Sequence, residues 1–444
     1  MASKQCHIMV FPWLAFGHMI PFLESSKKLA EKGIRISFIS TPRNIQRLPS
    51  IPPNLADNIK FVQLPLPSVH GLPENCEASI DLQKGKTQYL KKACDMFQAP
   101  FEKLVHKDPP DLVLFDFIHY WVPETAAKFG VPSVFFSYYS ASTLCFLGQP
   151  DELQFFQKRN KIEDFAVPPK WMPFPSMVSQ SPDQAAQMFR KLKFPDISGM
   201  LSGQRWAATL EGCDYVAVRS CMESEGAFLG CLEELYQKPI LPVGLLPPSP
   251  VKNIDSHSDP NWCSTFHWLD KQGPKSLVFV GFGSEYEMPI EQVHELAYGV
   301  DLSEIPFIWI LRKPEGVSSS ELLPDGFLAR ISNRGKSLSF GHAQILMPMV
   351  SDHGLNAKLL VEKGIGFEAQ RNKDGSFNRD VLAKSMRLVM VDKEGEPLRL
   401  KAAQMKTIFG NQNFNENYIN NFIHHMGIYQ QKDHQMPIKD AEKL

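Results

Sequence analysis

The apolar positions of this chain fall into short unbroken runs separated by longer helix-period stretches, an alternation that predicts an α/β protein built on parallel sheets. In the first half, strand-like runs occupy residues 6–11, 34–39, 112–115, 134–136 and 215–218. One helical stretch follows the first of them, with Phe22, Leu23 and Leu29 on its buried face. Between Gln149 and Pro175 the chain turns polar and proline-rich, an excursion of the kind that lines pockets rather than another βα unit. Residues 238–250 read as one last short strand and a stiff proline-rich linker. A second series then begins, with strands expected at 277–280, 307–311, 345–347 and 365–369. Its helices are marked by Ile290, Val293, Leu296, Ala297 and Val300, and by Val381, Leu382, Met386 and Val389. The expected division is a first domain over 1–238, a linker over 239–254, a second domain over 255–430 and a polar tail over 431–444.

Length and charge narrow the classes of function. A chain of 444 residues can build two cores. Its 47 basic residues nearly match its 48 acidic ones, so no broad basic field exists to hold nucleic acid or an anionic membrane. The eight cysteines show no C-x-x-C pair or metal-ligand spacing and read as reduced thiols of a cytoplasmic protein. The amino-terminal residues enter a core strand without a signal-type segment, and no apolar run is long enough to span a bilayer.

Three places carry candidate chemistry. The first strand stops at Pro12, passes a small-residue loop and delivers His18 to the start of a helix, at the carboxyl end of a strand where α/β sheets place their ligands. A histidine there is a candidate general base, although a solvated helix-start histidine has the same spacing. Asp116 follows the run Leu112-Val113-Leu114-Phe115 and can either orient His18 or cap the next helix. Gly281-Phe282-Gly283-Ser284 can present N–H groups and a hydroxyl to phosphate, or be a tight turn. It lacks the third glycine of a dinucleotide fingerprint, which weighs against an oxidoreductase. His424-His425 suggests a metal, but its apolar neighbours Tyr418, Ile419, Phe422 and Ile423 suggest a helix packing back on the first domain. Met347, Met349, Met386, Met390 and Met405 read as core filling.

Several motifs recur here in one order: Phe11-Pro12-Trp13-Leu14-Ala15-Phe16-Gly17-His18, Ser40-Thr41-Pro42-Arg43-Asn44, Asp116 with His119-Tyr120-Trp121, and Pro169-Lys170-Trp171. Further on stand Arg219-Ser220-Cys221-Met222-Glu223, Val243-Gly244-Leu245-Leu246-Pro247, Trp268-Leu269-Asp270, Gly283-Ser284-Glu285, Leu323-Pro324-Asp325-Gly326-Phe327 and Asp352-His353-Gly354-Leu355-Asn356-Ala357. In this order the chain resembles the plant-type UDP-dependent glycosyltransferases, especially the subgroup that adds sugars to sugars. The resemblance implies a GT-B fold, two Rossmann-like domains facing a cleft, with the acceptor held by the first and the UDP-sugar by the second. It implies that His18 takes the proton of the acceptor hydroxyl, that Asp116 steadies it, and that the oxygen displaces UDP with inversion and without a metal or other cofactor. Gly17, His119 and Trp171 would line the acceptor site, Ser284 would meet the diphosphate, and Asp352 and His353 would hold sugar hydroxyls. The implied acceptor is a flavonoid or terpenoid glycoside, and the implied protein a monomer.

The chain departs from that family at one place. Asn333-Arg334-Gly335-Lys336-Ser337-Leu338-Ser339 runs directly into Phe340-Gly341-His342, so that by family spacing about thirty residues are absent, including the helix start that would cradle the diphosphate. Each lost hydrogen bond to phosphate is worth ~1.5–3 kcal/mol and a lost base stack ~1–3 kcal/mol. The expectations are therefore an enzyme or, alternatively, an acceptor-binding scaffold with an impaired donor site. A missing βα unit should also leave apolar faces of the second domain uncovered.

Overall fold

The computed structural model describes residues 5–83, 85–246, 267–273, 276–283, 286–311, 319–324, 327, 343–349, 352–372, 374–409 and 411–427. Seven strands of the first half, β1 (His7–Phe11), β2 (Arg35–Ser40), β3 (Ile59–Gln63), β4 (Leu112–Phe115), β5 (Ser133–Ser137), β6 (Tyr215–Val218) and β7 (Ile240–Pro242), form one sheet in the order β3-β2-β1-β4-β5-β6-β7. Every neighbouring pair is parallel. Parallel strands need crossovers that cover both faces, and this is why β1, β4 and β5 are buried along their whole length. One face packs Phe11, Phe115 and Phe135, the other Ile8, Val10 and Phe38.

The strand readings are met to within one or two residues, with one omission. β3 was absent from them because it is an edge strand whose Lys60 and Gln63 stay exposed, so it carries no continuous apolar run. Ser133 and Ser137 lengthen β5 beyond its apolar centre, and Asp214 accepts from the Ser133 N–H at 2.8 Å. The excursion after Gln149 holds a short helix, Pro150–Phe155, and a 3₁₀ turn, Ile162–Phe165, but no strand.

The crossover after β1 is α1 (Phe16–Glu31), which buries Met19, Phe22, Leu23 and Leu29. α2 (Ala141–Leu147) follows β5 and is buried throughout. In the second half, β8 (Val278–Gly281) pairs in parallel with β9 (Phe307–Ile310), and β10 (Gln344–Leu346) with β11 (Gly366–Glu368). Among the described residues these remain two separate two-stranded sheets. α3 (Ile290–Ser303) lies between β8 and β9 in sequence, α4 (His353–Glu362) follows β10, and α5 (Arg379–Met390) follows β11. Leu296, Ala297 and Val300 of α3 and Leu382 and Met386 of α5 pack on Val278, Val280 and Phe307. The opposite face is less covered, with Phe279 49% and Ile310 60% exposed. Residues 328–342, where the family spacing breaks, lie outside the described residues.

Two elements tie the second half to the first. α4 buries Leu355 and Leu359 in the core of the first sheet. The final helix, α6 (Gln412–His425), returns to the first sheet, where Ile419 and Phe422 join the cluster of Met19 and Phe22. Asn411 caps α6, and the Asn415 Oδ1 accepts from the Leu245 N–H at 2.8 Å. His425 lies edge-on to Tyr215, with ring centroids 5.8 Å apart, so this end of α6 is a packing surface. None of the described cysteines forms a disulfide, and no helix among the described residues is long and apolar enough to cross a membrane.

Because Phe422 is 3% exposed, Phe422→Ala should remove ~3–5 kcal/mol of stability, whereas Asn420→Ala on the exposed face should stay within ~0.5 kcal/mol. Denaturant unfolding of the two variants checks this; equal midpoints would mean that α6 does not anchor to the first sheet.

Candidate active site

The site begins with the register of β1 and β4, which sets Phe11 opposite Phe115 and brings the two loops after them together. The Asp116 N–H donates to the Phe11 carbonyl at 3.2 Å. Ala15, with an extended backbone, precedes α1 and offers no side-chain cap, so His18 lies in the first turn of the helix. Its Nδ1 is 2.7 Å from Asp116 Oδ2, which also accepts from the Trp13 N–H at 3.1 Å. Asp116 Oδ1 accepts from the Phe117 N–H at 2.8 Å. The two readings of Asp116 are thus both realised: one oxygen caps the 3₁₀ turn Phe117–His119, and the other holds His18.

This geometry fixes the chemistry of the imidazole. The Asp116 side chain is 1% exposed and His18 12%, so the pair is shielded but reachable. A buried carboxylate facing three donors is a satisfied anion, and only a protonated Nδ1 can donate to it. Proton exchange with a substrate is therefore left to Nε2. Three rings wall the imidazole, Tyr138 at 5.3 Å, Tyr139 at 5.6 Å and Phe117 at 6.0 Å.

Tyr138, Tyr139 and Ser140 follow β5 and were missed from sequence, although the end of a parallel strand is the place to look for ligand-facing residues. Ser140 caps α2 and its hydroxyl donates to Asn356 Oδ1 at 2.8 Å. Asn356 Nδ2 in turn donates to Asp352 Oδ2 at 2.7 Å. Burial first, then the carboxylates of Asp352 and Asp116, push the Tyr139 phenol well above its ordinary range. Asp352 thus stands near enough to act on the Tyr139 phenol, and Asn356 joins it to Ser140 at the start of α2.

The remaining expected residues are distributed unevenly. Gly17 precedes His18 on α1, and a Cβ built on it would meet nothing within 4 Å, so the space before it is open. Trp171 is half-buried; its Nε1 donates to the Cys145 carbonyl at 2.7 Å, and its ring lies so close to Gly148 that a Cβ there would sit 2.6 Å from it. Gly148 also has φ +91°, which glycine alone adopts without strain.

His119, expected at the acceptor site, lies under the Pro12 loop. It is fully buried, stacked on Phe11 with centroids 3.9 Å apart, and its Nε2–H donates to the Pro12 carbonyl at 3.2 Å. Burial, the dominant cause, lowers its pKa to about 4, against the raising effects of the Pro12 contact and Asp116. A neutral side chain underneath the Pro12 loop supports that loop. Ser284 lies outside the described residues. His353 is exposed at the start of α4 and lines a cavity of about 330 Å³ together with Gly281, Phe282 and Gly283.

No protein-family model matches the chain. It is 39% identical to UDP-glycosyltransferase 91C1 of Arabidopsis thaliana, over 95% of this chain and 96% of that protein. It is 36% identical to UDP-glycosyltransferase 91D1 of Stevia rebaudiana, over 95% and 93%, and 33% identical to soyasaponin III rhamnosyltransferase of Glycine max, over 95% and 95%. The first alignment runs over 452 positions yet takes in 95% of 444 residues, so about thirty of its positions have no residue here, in line with the family spacing. Among solved structures, a UDP-glucosyltransferase from Polygonum tinctorium capable of glucosylating indoxyl is similar with a TM-score of 0.76 and 18% identity, covering 97% of this chain and 100% of that one. A Glycyrrhiza uralensis glycosyltransferase complexed with glycyrrhetinic acid 3-O-monoglucuronide gives 0.75 and 17%, covering 96% of each. The fold is that of these GT-B proteins. With relatives matched nearly end to end at this identity, the chain belongs to the plant UDP-dependent glycosyltransferases, transferases that move a sugar from a UDP-sugar to a hydroxyl of a small molecule without a metal ion.

Proposed function

We propose that His18 is the general base of this transfer, that Asp116 positions it, and that the acceptor is a terpenoid glycoside. The observation that carries the reading is the 2.7 Å contact of His18 Nδ1 with a carboxylate that also accepts from two backbone N–H groups. Such a carboxylate fixes the ring orientation and stabilises the imidazolium that forms during transfer. The acceptor hydroxyl gives its proton to Nε2 while its oxygen attacks the anomeric carbon. The bond from that carbon to the diphosphate oxygen breaks, and UDP leaves with the electron pair. Gly17 and Trp171 contribute to the acceptor side, and Asp352 and His353 hold hydroxyls of the donor sugar. Ser284 meets the diphosphate.

The acceptor class rests on relatives named for their products or substrates, a soyasaponin III rhamnosyltransferase and mogroside IIIx synthases. Flavonoid glycosides are the second choice. The halves divide within 239–254, after β7 ends at Pro242. The protein works as a cytoplasmic monomer.

Three measurements test this. His18→Ala should lower turnover by at least about a hundredfold with little change in melting temperature; a fully active variant would remove His18 from the mechanism. Asp116→Asn should lower turnover and also stability, because an amide cannot offer acceptors to all three donors. Leaving one buried donor unmatched costs ~1–3 kcal/mol, a drop of several degrees in Tm. If turnover of the folded Asn variant is normal, Asp116 serves only as a cap. Finally, inserting the relatives' segment between Gly335 and Phe340 should tighten UDP binding at least about tenfold, the equivalent of one recovered phosphate hydrogen bond. Calorimetry of both chains with UDP decides, and equal affinities would mean that other residues already do the work of that segment.

A further inference from the structure

The two ends of α2 serve different neighbours. Just before its start, Tyr139 stands edge-on to the His18 imidazole, and Ser140 opens the helix. At its far end the Trp171 Nε1–H donates to the Cys145 carbonyl at 2.7 Å, and the Arg159 Nη2–H donates to the Leu147 carbonyl at 2.6 Å. Seven residues at ~1.5 Å of rise each set these ends about 10 Å apart. Trp171 is therefore placed for a part of the acceptor remote from the hydroxyl that reacts.

Arg159 is an unusual neighbour for that ring. It is 3% exposed, and its guanidinium carbon lies 5.1, 4.4 and 4.6 Å from the ring centroids of Phe146, Phe165 and Trp171. Glu152 is the carboxylate at hand, but its oxygens accept from the Lys158 and Arg159 N–H groups at 2.9 and 2.8 Å and come only within 3.9 Å of Arg159 Nε. Nε and Nη1 of Arg159 make no hydrogen bond. Burial, the dominant cause, lowers the Arg159 pKa to about 10, against the raising effects of Glu152 and Asp164, so the group is still a cation at neutral pH. An apolar side chain of similar volume would fill this space with a smaller desolvation penalty. A cation does what that side chain would not: it attracts the negative face of the indole while its own Nη2 is tied to α2. Gly148 restrains the ring further, since a Cβ there would lie 2.6 Å from it.

We propose that Arg159 is a positioning residue for the acceptor, holding the Trp171 indole in one orientation as a fixed wall for the part of the glycoside remote from the reacting hydroxyl. This rests on the reading of Trp171 as an acceptor contact. A wall ordered in advance strengthens binding by removing the cost of ordering it when the acceptor arrives, and it takes no part in proton transfer at His18.

Calorimetry of the full chain without donor tests this, with soyasaponin III and a flavonol 3-O-glucoside as probes. Arg159→Met keeps the bulk of the stem and removes the charge and the donor. Arg159→Met and Trp171→Ala should each weaken binding of at least one probe by at least about tenfold, and the double variant should bind it no more weakly than Trp171→Ala alone. In chains labelled with fluorotryptophan, the Trp171 resonance, assigned by its loss in Trp171→Phe, should broaden or split in Arg159→Met. The resonance of Trp206, stacked on Phe117, should stay as it is, whereas a general loosening of the fold would disturb both. Should Arg159→Met unfold, Arg159→Lys carries the same comparisons, because an ammonium keeps the charge without the planar fork. Unchanged binding of both probes by Trp171→Ala, or no binding of either by the unaltered chain, would remove Trp171 from the acceptor site and Arg159 with it. If Trp171→Ala weakens binding and the Arg159 variant does not, if the two losses add, or if the Trp171 resonance stays sharp, only the role of Arg159 is overturned.

Discussion

The pairing of β1 with β4 is the constraint on which the first half rests. These strands are separated by about a hundred residues, yet the register sets Phe11 opposite Phe115 and leaves one loop from each at the same edge. The Asp116 carboxylate then closes the junction, because it accepts from Trp13 of one loop and from Phe117 of the other as well as from His18. Burying this charge is tolerable only because its oxygens meet three donors. His119 works beneath the same junction, held neutral so that it can donate to the Pro12 carbonyl without adding a second buried charge.

A second polar connection ties α4 of the second half to the end of β5. Ser140, Asn356 and Asp352 form a chain that crosses between residues 216 apart in sequence, and each link is a short hydrogen bond. It is supported by apolar burial of Leu355 and Leu359 and by Glu362, which accepts from Ser176 and from the Met177 N–H. Gly354 lies against Gln180 and Gln184, where a Cβ would meet their side-chain oxygens at 2.3 Å, so any larger residue at the start of α4 would displace those two amides. The packing of α4 on α2 therefore sets where Asp352 stands relative to the imidazole.

What was legible in the sequence follows from how each feature is encoded. Strands buried on both faces announce themselves as unbroken apolar runs, and 112–115 and 215–218 agree residue for residue with β4 and β6. β3 carries Lys60 and Gln63 on an exposed edge and does not. His18 and Asp116 could be read because each stands immediately after such a run. Tyr139 and Asn356 could not, since nothing local marks a ring against an imidazole or an amide between a serine and a carboxylate; the first contact exists only once β5 joins the sheet beside β4, the second only once α4 docks on α2. The burial of His119 was hidden for the converse reason: a polar residue three places after Asp116 points into the core, where it stacks on Phe11 and donates to the Pro12 carbonyl.

The second half shows how local encoding survives when long-range pairing is interrupted. α3 and α5 still place Leu296, Val300, Leu382 and Met386 on one face of β8 and β9, because helix periodicity and strand burial are properties of each segment. Pairing across the sheet is different in kind, since a strand can pair only with a neighbour that another part of the chain supplies. Among the described residues, β8 pairs only with β9 and β10 only with β11. Among the described residues the second half is therefore two parallel ladders, with a cavity lined by β8, Ile345 and Met347 beside them. The His18 and Asp116 junction, in contrast, is built wholly from loops of the first sheet.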